Sequence, residues 1–376
     1  MNDKLKRVAW VDMAKGIAIL AVVLGHINYE YPTNDLVPIR MLLYGLWHVS
    51  VFYVIGGFFI NESKLENPTS FIVGKIKSLY LLILYIYIPY VLLHNVFIDI
   101  GFYDIDVDYF GKSVSYWTIG DFIKNIVLAI LFAGREPLLG PMWFVYVLFM
   151  ALCVLSILSW SLRKLYDSSL IRNKETYEIV RFSFILFLTL LSYAMTNFLH
   201  LNIPRFNNVF TAVWFIYVGM LLMKRIHIKF DNGYIAIISA FIVYHIATMT
   251  SGIAFNSNKY DDLASFTIST LCCTYIICYV CKQIESYSFS NILSYIGNNS
   301  FYIMGLQFTG FRCCTFVLNC FGYDYNMGEL TTPQISSLPL LLLYMFFGVV
   351  VPLCIIGSVR FLKRHLLLAR ASQDLV

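Results

Sequence analysis

The chain has 376 residues, of which 59% are hydrophobic, 17% aromatic and only 13% charged. A soluble domain carries about a quarter of its residues as charge. Half that charge, with a mean hydropathy of +0.71, excludes a disordered protein, a basic nucleic-acid-binding domain and a disulfide-stapled secreted module, and leaves a polytopic membrane protein.

Met1 to Arg7 is polar and basic, and an apolar run extends from Val8 to Ile27. Asp12 and Lys15 lie inside that run and no small-residue cleavage site follows it, so it reads as a retained first helix rather than a signal peptide. Further apolar runs lie near 43–61, 79–98, 142–160, 182–199, 209–223, 234–250, 264–281, 291–311 and 336–359. A bilayer span takes about 20 residues, so the pattern predicts ten spans. Phe122 to Ala133 is too short to span and carries Lys124 and Asn125; it is predicted to be re-entrant or interfacial.

The net charge of +5 matters less than where Lys and Arg fall. With the N-terminus inside, 19 of the 27 basic residues lie on inner segments and 7 on outer ones. Making 122–133 a full span would move the basic 161–181 loop outside. The expectation is therefore an all-α membrane helix bundle of about ten spans, both termini cytoplasmic, with residues 1–376 as one domain. The nine cysteines fall mostly inside apolar runs and read as small apolar residues. The acidic loop 99–121, with Asp99, Asp104, Asp106, Asp108 and Asp121, reads as solvated surface. No metal site is expected.

Ionisable groups within spans are costly, so they are functional candidates. The first helix holds Asp12, Lys15 and His26. At about 100° per residue, Lys15 and His26 differ by only about 20°, and they lie roughly 16 Å apart along the axis. The three therefore form a polar stripe from the inner to the outer membrane face. The plain alternatives are a local Asp12–Lys15 ion pair, a snorkelling Lys15 and an interfacial His26 bonded to a neighbour. Trp47-His48 enters the second span at about the depth of His26, and Gly56-Gly57 permits close helix contact. Lys75-Ile76-Lys77-Ser78 stands at the inner end of the third span, either as an ordinary basic flank or as a cationic mouth for a phosphorylated donor. Gly140 to Phe144 opens the fourth span. Gly297 to Ser300 and Gln307 read mainly as polar groups that hold helices together.

Val11-Asp12-Met13-Ala14-Lys15-Gly16-Ile17-Ala18-Ile19-Leu20, running into Val22-Val23-Leu24-Gly25-His26, resembles the first-helix signature of the membrane acyltransferase-3 family, closest to its fucose 4-O-acetylase-like branch. Agreement continues at His48 to Phe59, Lys75 to Leu79, Gly140 to Phe149, Trp214 to Leu222 and Leu293 to Phe308. The resemblance implies about ten helices in a bacterial cytoplasmic membrane. It implies transfer of an acyl group, usually acetyl, from cytoplasmic acyl-CoA to a hydroxyl of an envelope glycan or lipid-linked sugar. Lys15 and His26 match the family's basic residue and the catalytic histidine eleven positions later. Lys75 matches the first position of a paired basic motif whose second position here is Ser78. Gln307 stands where many relatives carry His.

That chemistry fits the independent reading. A neutral imidazole can take the proton of an alcohol as it attacks a thioester, worth about 10²–10⁴ in rate, and the oxyanion formed needs a donor or cation. His26 is the expected base, with Asp12 and His48 beside it in the catalytic set. Lys15, Lys75 and Lys77 are the expected contacts to acetyl-CoA. The competing classes are a proton-coupled transporter, which also buries charges, and a component of a polysaccharide-export complex. No inverted halves with matching broken helices favour transport.

Overall fold

In a bilayer, main-chain N–H and C=O groups find no water, so apolar runs of this length fold as helices. The computed structural model describes residues 8–31, 38–105, 113–134, 136–168, 171, 173–201, 203, 206–250, 252–326 and 332–373, with side chains through 365. Met1 to Arg7, Asp106 and Asp108 of the acidic loop, and the cations Lys112, Arg135, Arg172 and Arg205 lie outside the described residues. Among those described, the fold is all-helical and contains no strand beyond isolated bridges at Tyr29–Ile335 and Ala254–Lys259.

The helices in chain order are α1 (Ala9–Gly25), α2 (Ser50–Phe58), α3 (Glu62–Leu65), α4 (Pro68–Lys75), α5 (Leu81–Leu92), α6 (His94–Asp99), α7 (Ile119–Ile130), α8 (Trp143–Asp167), α9 (Lys174–Asn197), α10 (Phe206–Lys224), α11 (Gly233–Met249), α12 (Leu263–Ile284), α13 (Ser290–Asn298), α14 (Ser300–Cys320) and α15 (Leu338–Gln373). π-Helical turns at Met41–Gly45 and Ile76–Tyr80 lead into α2 and join α4 to α5. Many starts are written in the sequence. Asn67, Asn173 and Asp262 cap α4, α9 and α12 through their side chains, and Thr118 with Asp121 forms a reciprocal capping box on α7. Among the described residues, eight helical runs are long and apolar enough to cross a membrane: Met41–Phe58, Pro68–Leu92, Pro137–Asp167, Lys174–Asn197, Phe206–Lys224, Leu263–Ile284, Ser300–Cys320 and Leu338–His365. The 17-residue helices α1 and α11 coincide with two further predicted spans.

Two predicted boundaries are corrected. The run 291–311 is not one helix: Asn299 leaves helical geometry (φ −106, ψ 11), so α13 ends and α14 starts there, and the long apolar helix is Ser300–Cys320. Asn298-Asn299-Ser300 are residues that favour caps and turns over helix interiors. The run 79–98 breaks at Leu93 (φ −89, ψ 2), leaving His94 to start a separate short helix. The segment expected to be too short to span is α7, 12 residues long and thus about 18 Å.

The chain divides into two compact units, one of residues 1–21, 32–86 and 142–297, the other of residues 22–31, 87–141 and 298–376. In the first, α10 is the central helix, packed on α2, α8 and α9, while α11 packs on α12. The α2–α10 crossing is a backbone contact: a Cβ at Gly57 would overlap the Ile216 carbonyl, and one at Gly219 would overlap that of Val54. Gly56 faces open space, so of the Gly56-Gly57 pair only the second makes the contact. Gly57→Ala is expected to destabilise by about 1–3 kcal/mol through overpacking. Gly56→Ala is expected to be neutral or mildly stabilising, since Ala is the better helix former. Thermal unfolding of the two single variants checks the contrast.

In the second unit, α14 and α15 form the main pair. Gly310 meets the Phe347 backbone, and the Thr315 and Tyr344 hydroxyls are 2.9 Å apart.

Candidate active site

The N-terminal part of α1 belongs to the first unit. Lys15 Nζ lies 3.3 Å from Asp12 Oδ1, with the lysine side chain 35% exposed and the aspartate 10%. The i, i+3 spacing puts the two on one helical face. This turn is held against α13 without intervening side chains: a Cβ at Gly297 would overlap the Asp12 carbonyl, and one at Gly16 would overlap that of Leu293. Trp10 packs on Phe230 at 5.5 Å between ring centroids, and Lys282 Nζ sits 5.4 Å over the Trp10 ring.

Lys75 closes α4. It is half-buried, with Nζ 5.2 Å over the Phe71 ring. Lys77 lies in the π-helical turn and is exposed. Residues two apart on a helix do not face each other, so these two lysines present their charge on different sides. His48 stands in the turn before α2. Its Nδ1 is 2.6 Å from the Tyr44 carbonyl, four residues back, and its ring meets the Tyr44 ring edge-on.

His26 belongs to the second unit, one residue past α1. Its Nδ1 is 2.8 Å from the Val22 carbonyl. A carbonyl can only accept, so Nδ1 carries the proton and the lone pair sits on Nε2. Phe308 of α14 meets the imidazole edge-on at 5.3 Å between centroids. The chain beyond is pinned: the Asn28 N–H donates to Thr332 Oγ1 at 2.7 Å, the Ile335 N–H to the Asn28 carbonyl at 3.0 Å, and the Glu30 N–H to the Ile335 carbonyl at 2.8 Å. Gln307, next to Phe308, is fully buried; its Nε2 donates to the Met304 carbonyl at 3.2 Å, and its Oε1 has no protein partner. Of the sequence candidates, then, Asp12 and Lys15 are joined directly. His26 and His48 each have the same internal brace to the carbonyl four residues back.

Sequence reasoning gave no role to several buried ionisable groups, among them Arg181 and the pair His94 and Glu136. In the first unit, Arg181 of α9 is 1% exposed; Nη1 is 3.7 Å from Glu62, and its guanidinium lies over Tyr217. Arg225 bonds Glu178 and reaches Glu62 at 3.8 Å. In the second unit, His94 and Glu136 are 2% and 1% exposed. Nδ1 of His94 is 3.3 Å from Glu136 Oε2, and Nε2 is 3.2 Å from the Ser115 carbonyl. The buried Tyr103 hydroxyl donates to Glu136 Oε1. Burial and the adjacent carboxylate hold that phenol well above its ordinary pKa, so it stays a donor. One signal was present, His94 as an ionisable group within the predicted span 79–98; Glu136 follows Arg135 outside every predicted span. Among the described residues, no three His, Cys, Asp or Glu side chains gather in a metal-binding arrangement.

A family model described as an acyltransferase domain matches residues 8–357, nearly the whole chain. No curated protein and no solved structure matches.

Proposed function

Because the chain belongs to the acyltransferase-3 family and is an integral, multi-pass membrane acyltransferase, we propose that it moves an acetyl group from cytoplasmic acetyl-CoA to a hydroxyl of an envelope glycan or lipid-linked sugar, with His26 as general base. The observation that carries this reading is the Nδ1–Val22 bond of 2.8 Å, which leaves Nε2 as the basic nitrogen. The likeness of the first helix to the fucose 4-O-acetylase-like branch supports a sugar acceptor.

In this mechanism Nε2 takes the acceptor's O–H proton as the oxygen forms its bond to the thioester carbonyl carbon. The C–S bond then breaks, and the imidazolium returns the proton to the departing CoA thiolate. Lys15 is held by Asp12 on the same helix, which fixes its ammonium for a contact to the donor. Lys75 and Lys77, whose charges face different sides, are assigned to separate phosphate groups of CoA, and His48 orients the acceptor. The inner segments carry the positive-inside excess, so both termini and the 161–181 loop are cytoplasmic. A cysteine probe at Asn173, the exposed cap of α9, should resist a membrane-impermeant label in intact cells, and labelling there would overturn this orientation.

The donor mouth is tested separately. Lys75→Ala with Lys77→Ala should raise the KM for acetyl-CoA about tenfold or more with kcat little changed, because these charges meet phosphate in ground and transition states alike. An unaltered KM would place the donor elsewhere. Lys15→Arg should retain more activity than Lys15→Ala, since the cation is what the site uses.

A further inference from the structure

The buried His94–Glu136 pair has no part in that mechanism, yet it stands behind a cavity of about 210 Å³ lined by His94, Ser113, Ser115, Trp117, Asp121, Lys124 and Asn125 among others. The Trp117 indole lies flat on the His94 ring, with centroids 3.6 Å apart and planes 6° from parallel. Its main chain is held at both ends by Asn95: the N–H donates to Oδ1 at 2.8 Å, and the carbonyl accepts from Nδ2 at 3.0 Å. His94 is fixed in turn by Glu136 and the Ser115 carbonyl. Glu136 is fixed by Tyr103 and, through its own N–H, by the Tyr87 hydroxyl at 2.7 Å. A connected buried polar network is costly to assemble unless every member is satisfied. Here it holds one aromatic ring at a cavity wall.

The remaining lining has a definite chemical character. Asp121 and Lys124 offset each other in charge, which disfavours an ionic ligand. Asn125 spends its Nδ2 on the Asp121 carbonyl at 3.0 Å, which leaves its side-chain carbonyl as an acceptor. An aromatic surface beside amide, carboxylate, ammonium and hydroxyl groups matches a ring with one C–H face and a rim of hydroxyls. Drug-sized sites begin near about 300 Å³, so this cavity holds a single ring. α7 supplies Asp121, Lys124 and Asn125 from one side. It exposes Ile119, Ile123, Val127 and Ile130 on the other, the pattern of a helix lying in a membrane interface.

We propose that this cavity is a carbohydrate subsite that takes one sugar ring of the acceptor, with Trp117 as its platform and His94 and Glu136 as positioning residues. The inference rests on the sugar-acceptor reading above and deepens it.

The test is saturation-transfer NMR on the full chain in lauryldimethylamine oxide, a detergent without a sugar headgroup. The probes are the methyl glycosides of D-glucose, D-galactose, D-mannose and L-fucose. At least one should receive saturation from wild-type protein. Trp117→Ala and Asn125→Ala should each weaken that binding about tenfold, Trp117→Phe should retain most of it, and His26→Ala should leave it intact. Thermal midpoints confirm that the variants fold. In transfer assays Trp117→Ala should raise the acceptor KM and leave the KM for acetyl-CoA unchanged. No binding by any of the four glycosides, or equal binding to Trp117→Ala, overturns the subsite. Failure of wild-type protein to consume the acetyl-CoA thioester overturns the acyl-transfer reading instead, so the two failures are separable.

Discussion

Replacing His26 by Ala or Gln is expected to lower acyl transfer by about 10²–10⁴ while the protein stays folded and inserted. His26 follows the last residue of α1, where its imidazole makes one backbone bond and one aromatic edge contact, so little packing is lost. Binding of acetyl-CoA, assigned to the lysines of the other unit, should survive. The pH dependence has a definite sign. The base must be neutral to accept a proton, so the wild-type rate falls as pH drops through the imidazole titration and is restored as pH rises. His26→Gln should flatten that limb, because an amide does not titrate there. Purified variants, checked by size exclusion and donor titration, supply the measurement. Near-wild-type turnover in a folded His26→Ala protein would move the search for the base to His48 or Asp12.

Glu136→Ala is expected to be the most damaging single truncation of a polar side chain in the second unit. Glu136 accepts from Tyr103, faces His94 and is 1% exposed. Removing one partner of a buried hydrogen bond costs about 1–3 kcal/mol, because the other is left unsatisfied. Here the Tyr103 hydroxyl loses its acceptor as well. The thermal midpoint should fall by several degrees, far more than for Asp99→Ala, whose side chain accepts from Tyr116 at the surface. Equal midpoints for the two variants would mean that the buried network contributes no net stability.

Composition and periodicity alone determined the helical membrane architecture. Most predicted runs fall on observed helices within a few residues, because lipid leaves an apolar run few conformations. The too-short segment at 122–133 was legible for the same reason, as length alone bars it from crossing. The Asp12–Lys15 pair followed from i, i+3 spacing, and the first-helix signature pointed to the acyltransferase-3 family that the whole-chain match bears out.

Tertiary structure decided what spacing cannot express. Gly297 to Ser300 read as polar groups within one span, and the departure of Asn299 from helical geometry is what divides it. That Gly57 and not Gly56 meets α10 depends on which face of α2 is turned toward its neighbour. The proton on His26 Nδ1 is set by a carbonyl, and carbonyls are the same at every position in a sequence. The His94–Glu136–Trp117 assembly joins residues from α6, the loop before α7 and the segment before α8. In the chain only His94 stands out, as an ionisable group within a predicted span, and folding alone brings it together with Glu136, an aromatic platform and a cavity.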